Sequence, residues 1–236
     1  MKKTLFWACI FAVLSLAACD DSTSPAESTV PDPIEDKNSL TDSRDGRTYR
    51  TVVIGSQTWM AQNLNFETAN SYCYGDQPSN CAKYGRLYTW GTAMDSAGLW
   101  STNGKGCGND MECSPANPVR GVCPDGWHLP TKAEFETLIS SIGDEGGVGG
   151  KLRSKNGWNH SSRYQNTDDY SFTALPAGSR LSSGDYNNEG DNAFFWSSTE
   201  ISGDMAYYIT LCYNSDHVKP AYLFKSSGYS VRCVKD

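Results

Sequence analysis

The 236-residue chain lacks a hydrophobic run long enough to cross a membrane as a helix: its longest, Leu5 to Ala18, spans 14 residues, where roughly 20 are needed. A polytopic membrane protein is therefore not expected. Basic charge is also scarce, with 20 Lys and Arg against 27 Asp and Glu and a formal net charge of −7. That balance argues against a nucleic-acid partner. Histidine is confined to His128, His160 and His217, scattered along the chain, and there is no Cys-x-x-Cys pair, so the usual spacing of a zinc site is missing. There is likewise no Gly-x-Ser-x-Gly elbow to mark a serine hydrolase. What remains is the balance of a folded domain: 38% hydrophobic, 12% aromatic and 20% charged, with 22 Gly and 10 Pro. Disordered and collagen-like chains are excluded.

The N-terminus reads as a secretory signal peptide over residues 1–18: the basic start Met1-Lys2-Lys3, an apolar stretch from Leu5 to Leu14, then small residues. Leu16-Ala17-Ala18-Cys19 resembles the bacterial lipobox, which implies cleavage before Cys19 and acylation of its thiol. The alternative is an ordinary cleaved signal with an incidental cysteine. Two or three acyl chains would hold the protein firmly to a membrane. The expected location is the cell envelope, at the outer membrane or cell surface, with Asp20 and Asp21 leaving the leaflet open. Eight acidic residues against Lys37 and Arg44 between Asp20 and Asp45 give a segment of charge −6 with almost no large apolar side chain. Residues 19–44 are expected to be a flexible, self-repelling tether.

Residues 45–236 are expected to form one domain. Export favours disulfides, and the odd count of Cys73, Cys81, Cys107, Cys113, Cys123, Cys212 and Cys233 leaves at least one thiol unpaired. Connectivity does not follow from sequence. Two short loops suggest themselves, Cys73 with Cys81 and Cys107 with Cys113. These leave Cys123 for Cys233, with Cys212 as the free thiol. One helix is clear: Thr131 and Glu134 stand at capping-box spacing before Phe135, Leu138, Ile139 and Ile142, which share one face. Glu134 and Glu136 are read as structural, not catalytic. A second, shorter helix is expected from Leu87 to Ala97. Short strands are expected at 48–54, 58–64, 170–175, 193–198, 206–213, 222–225 and 229–234. Two helices and several short, mostly antiparallel strands make an α+β domain.

Seven segments carry a resemblance: DGRTY at 45–49, IGSQTWMAQNL at 54–64, CAKYGRLYTW at 81–90, VCPDGWHLPT at 122–131, LPAG at 175–178, FWSSTE at 195–200 and GYSVRC at 228–233. In this order they resemble the motifs of the Fibrobacter succinogenes major paralogous domain, over essentially all of 45–236. That resemblance implies an exported protein, often a lipoprotein, and implies no molecular function. The Cys-x-x-Gly-Trp-x-Leu-Pro-Thr run before the helix and the terminal Arg-Cys are also similar to the C-type-lectin-like fold. In that fold a long disulfide ties the helix region to the final strand, as Cys123 and Cys233 would. Such a fold alone does not give function.

A glycan site needs flat aromatic faces beside amides and carboxylates. The segment from Arg180 to Asn192 offers Tyr186, Asn187, Asn188 and Glu189, and Trp158 and Trp100 lie in polar surroundings that would expose them. The alternative is a solvated hairpin. Trp59, Trp90, Trp127 and Trp196 are expected in the core. Asp185, Asn187, Glu189 and Asp191 alternate oxygen ligands and make a candidate calcium site, although no EF-hand pattern accompanies them. No other cofactor is implied, and no catalytic residue is assigned. His128 is read as a packing residue. The resulting expectation is a lipid-anchored binding module for a glycan or surface partner, serving adhesion. The alternatives are a structural cell-surface or matrix protein without a small ligand and, behind it, a lectin-fold enzyme.

Overall fold

The structure is a computed structural model that describes residues 38–236; the expected signal peptide, Cys19 and most of the expected tether lie outside the described residues. Its strands are β1 (Ser39–Thr41), β2 (Thr48–Ile54), β3 (Gln57–Met60), β4 (Ser71–Tyr72), β5 (Leu87–Thr89), β6 (Trp127–His128) and β7 (Ala177–Arg180). The chain continues through β8 (Tyr186–Glu189), β9 (Asn192–Glu200), β10 (Met205–Cys212), β11 (Pro220–Phe224), β12 (Gly228–Tyr229) and β13 (Val234–Lys235). The α-helices are α1 (Pro78–Tyr84), α2 (Trp90–Ala93), α3 (Lys132–Ile142) and α4 (Gly149–Leu152). One sheet runs β1-β2-β3-β13-β6; the other runs β11-β10-β9-β7-β12-β5-β4, with β8 hairpinned onto β7. All strand pairs are antiparallel except β7 with β9. The domain is α+β, as its pattern of short strands predicts.

Helix α3 starts where the sequence places it. Thr131 accepts the Glu134 amide at 3.2 Å, and the Glu134 carboxylate takes the Thr131 amide at 2.7 Å, so the two satisfy each other's orphan groups. Its apolar face, Phe135, Leu138, Ile139 and Ile142, is buried against Ile54, Trp59, Phe172, Phe195 and Ile209. The β2–β3 turn beneath it needs Gly55, which sits at φ 60° and would drive a Cβ to 2.3 Å from Ser141 Oγ. A second core stacks Trp196 on Tyr229, ring centres 4.4 Å apart, with Trp90 and Tyr88 around them. The two fully buried indoles of this core each have an acceptor: Trp90 donates to the Ser197 carbonyl and Trp196 to that of Tyr88, both at 2.8 Å. The four tryptophans expected in the core are there.

Among the described residues three disulfides join Cys73 to Cys81, Cys107 to Cys113 and Cys123 to Cys233, and Cys212 is free. The long bridge lies in the Trp196 core and fastens the segment before β6 to the chain entering β13.

Four expectations are corrected. Residues 39–44, expected to belong to a flexible tether, are part of the fold: β1 pairs with β2, and Asp42, counted among the repelling acids, is fully buried against Arg44 at 2.7 Å. The helix expected from Leu87 to Ala97 is a strand followed by one helical turn. Leu87–Thr89 is claimed by β4 and β12, and Asp95 at φ 57° ends the turn. Residues 170–175 form no strand, because Ser171 and Thr173 both take positive φ and the Asp168 carboxylate captures the Thr173 amide at 2.7 Å. Trp100, expected to be exposed, is half-buried, edge-on to Phe66 and beneath the Arg44 guanidinium.

Candidate functional site

A cleft of about 420 Å³ lies at the β5–β4 side of the larger sheet. Its walls come from five parts of the chain: the 68–72 segment, the end of β5 with α2 and the 95–100 loop, the Cys107–Cys113 loop, Arg180 of β7, and Lys225-Ser226 after β11.

Asp95 builds one wall. Its buried carboxylate accepts the amides of Leu99, Trp100 and Ser101 at 2.8, 2.8 and 2.9 Å, and so folds the loop that presents Leu99, 65% exposed, and Trp100. Lys225 forms part of another. Its ammonium is buried, bonded to Glu200 at 2.7 Å and to the Met111 and Gly203 carbonyls, and lies 4.5 Å from the Trp90 ring. Glu200 also takes the Cys113 amide at 2.8 Å, which ties the disulfide loop to the end of β9. A buried charge held by several bonds is costly to disturb, so these two groups act as framework.

Arg180 is different. Its guanidinium lies 3.9 Å above the Tyr72 ring and 5.9 Å from that of Tyr186, and its Nε is buried without a partner. Gly228 of β12 faces it, and a Cβ there would come within 3.0 Å of the Arg180 Cβ. Tyr186 packs on Tyr74 at 5.2 Å and donates to Asp76 at 2.5 Å. Burial, then the Asp76 carboxylate, push its hydroxyl up to about 12. Tyr72, Tyr74 and Tyr186 thus form an aromatic rim continuous with the cleft through Arg180.

Of the glycan candidates, Tyr186 alone joins this rim. Glu189 turns to Tyr84, whose hydroxyl donates to it at 2.9 Å, and to Lys83 at 3.7 Å. Asn187 pairs with Ser179 along the exposed hairpin, and Asn188 is held at φ 68°. Trp158 is half-buried on the Phe172 core, its indole donating to Ser154 and to the Ala174 carbonyl at 3.1 and 3.0 Å, so it serves packing. The calcium candidates are not brought together. Alternate residues of a strand stand about 6.8 Å apart; Asp185 is bonded by Ser183 and Asp191 by Asn159 instead. Among the described residues no three acidic, His or Cys side chains converge on a metal position.

His128 does more than pack. Its ring nitrogens lie 2.6 Å from Asp236 and 2.7 Å from Glu134. Burial disfavours the charged ring, but the two carboxylates outweigh it and raise the His128 pKa above its ordinary 6.5. Burial would also raise Glu134, yet His128 and the Thr131 bonds hold it below its ordinary 4.5. The sequence signal for this cluster was Glu134 six residues after His128, masked by the capping role of Glu134.

The model of the Fibrobacter succinogenes major domain matches residues 52–235. The chain belongs to that family. No curated protein and no solved structure matches the chain. The matched span of this Fibrobacter succinogenes major domain includes the whole cleft, His128 with Glu134 but not Asp236, and the three disulfides described above. It leaves out β1 and the Asp42–Arg44 turn, which nevertheless complete the smaller sheet.

Proposed function

We propose that this chain is a non-catalytic binding module of the cell envelope, anchored through lipid on Cys19, that recognises a glycan and serves adhesion. The observation that carries the reading is the cleft itself. It combines the rings of Tyr72 and Trp100 with amides at Asn70 and Asn109 and hydroxyls at Thr92 and Ser96, the mixture that binds a sugar's C–H faces and hydroxyls together. Three disulfides suit an exported domain. The Cys123–Cys233 bridge, running from the α3 approach to the end of the chain, supports reading the fold as C-type-lectin-like.

The test is retention of the full-length protein, in mild detergent, on insoluble cellulose and xylan and on a soluble glycan array, with calcium and with chelator. Binding lost on Tyr72→Ala, with thermal unfolding intact, supports the cleft. Calcium-dependent binding would return the Asp185 to Asp191 segment to the site. If nothing is retained, the structural surface or matrix reading replaces this one. Separately, Cys19→Ser should abolish incorporation of a palmitate analogue; continued labelling would sink the anchor.

A further inference from the structure

The cleft wall holds three charged side chains, Asp95, Arg180 and Lys225, and two of them are already occupied. Asp95 is saturated by three backbone amides, and Lys225 is bonded to Glu200 and two carbonyls. Arg180 has no carboxylate within ion-pair distance among the described residues. The Tyr186 hydroxyl stands beside it, but that hydroxyl directs its own proton to Asp76. The buried Nε of Arg180 is closed to a ligand, but a guanidinium that lines a cleft with no carboxylate to balance it points to an anionic group met by its terminal Nη atoms.

The geometry selects the kind of group. Tyr72 covers the face of the guanidinium at 3.9 Å, which holds its plane, and with Nε buried and Tyr186 alongside it is the Nη edge that faces a ligand. A planar fork matches a carboxylate, which accepts two parallel N–H bonds. The surrounding rings, amides and hydroxyls are those of a sugar site. Overall charge does not supply the attraction, since the protein carries −7 and repels polyanions at a distance. Selection for an acid must come from this one local contact.

We propose that the cleft is selective for uronic-acid glycans, with Arg180 gripping the sugar carboxylate and Tyr72 holding the guanidinium in plane. The proposal rests on the glycan reading above and narrows it.

The experiment compares binding of the full-length protein to polygalacturonate, to the same polymer methyl-esterified, and to neutral xylan and cellulose. Esterification removes the charge from the ligand without touching the protein, so the test does not depend on any variant folding. Polygalacturonate should bind at least about tenfold more tightly than its ester. Arg180→Gln should remove that preference, Arg180→Lys should restore only part of it, and Lys83→Gln, outside the cleft, should leave it intact. Equal binding to acid, ester and neutral glycans, unchanged by Arg180→Gln, overturns the proposal while the glycan reading stands. Retention on no glycan overturns both. Competition by polyglutamate as effective as by galacturonate oligomers also overturns it, in favour of an acidic peptide.

Discussion

The disulfides differ in the loops they close, and this ranks them. Cys123–Cys233 spans 110 residues, against 8 for Cys73–Cys81 and 6 for Cys107–Cys113. In the chain-entropy model these separations correspond to about 4.8, 2.5 and 2.2 kcal/mol at 25 °C. The two short loops lie wholly outside the long one, so the contributions are independent. Packing adds in the same direction, because Cys123 and Cys233 are fully buried in the Trp196 core while Cys73 is half-buried. The double variants Cys123→Ala/Cys233→Ala and Cys73→Ala/Cys81→Ala, unfolded reversibly by heat and followed by tryptophan fluorescence, should therefore separate clearly. For a domain of this size, about 2–4 °C of melting temperature accompanies each kcal/mol. The long-bridge variant should melt about 10–20 °C below wild type and the short-bridge variant about 5–10 °C below. A long-bridge loss no greater than that of the Cys73–Cys81 pair would refute the reasoning, since both entropy and burial require the opposite order.

The His128 cluster makes stability depend on pH in a definite sense. His128, raised above 6.5, contributes stability that is complete below pH 6.5 and lost as pH climbs through its folded value. Glu134, lowered beneath 4.5, contributes above pH 4.5 and loses that as pH falls through its folded value. The stability difference between wild type and His128→Gln should peak between those limits, and a difference in urea midpoint that is flat with pH would contradict the pairing. For Trp158, truncation to Ala should cost about 2 kcal/mol, less than the ~3–5 of a fully buried indole, and leave glycan retention unchanged. Loss of retention in a folded Trp158→Ala protein would return that residue to the binding site.

Part of the candidate site was legible in sequence. Of the segment from Arg180 to Asn192, singled out for its Tyr and amides, Arg180 lies in the cleft wall and Tyr186 on the rim. Its neighbours were misread because period-2 alternation and two left-handed residues, Gly178 and Asn188, turn Glu189 toward Tyr84. Arg180 carried no local signal: what distinguishes it is Tyr72, more than a hundred residues earlier in the chain, and the missing carboxylate partner. Asp95 fell inside the helix expected from Leu87 to Ala97, and its grip on three amides is visible only in the folded loop.

Local chemistry in the sequence was enough to set the α3 cap, the alternation of β2, the burial of the four motif tryptophans and the compatible cysteine pairs, because each depends on residues close in sequence or on apolar burial alone. Tertiary structure decided the rest. Leu87 to Ala97 became strand and turn because neighbouring strands claimed its backbone, and Asp42 left the acidic leader because Arg44 offered a buried partner. The cleft arises where five separated segments meet, and among the described residues the Arg180 charge is left without an ion-pair partner by which groups fail to reach it. Charge compensation is a property of distances in space, and those exist only once the chain has folded.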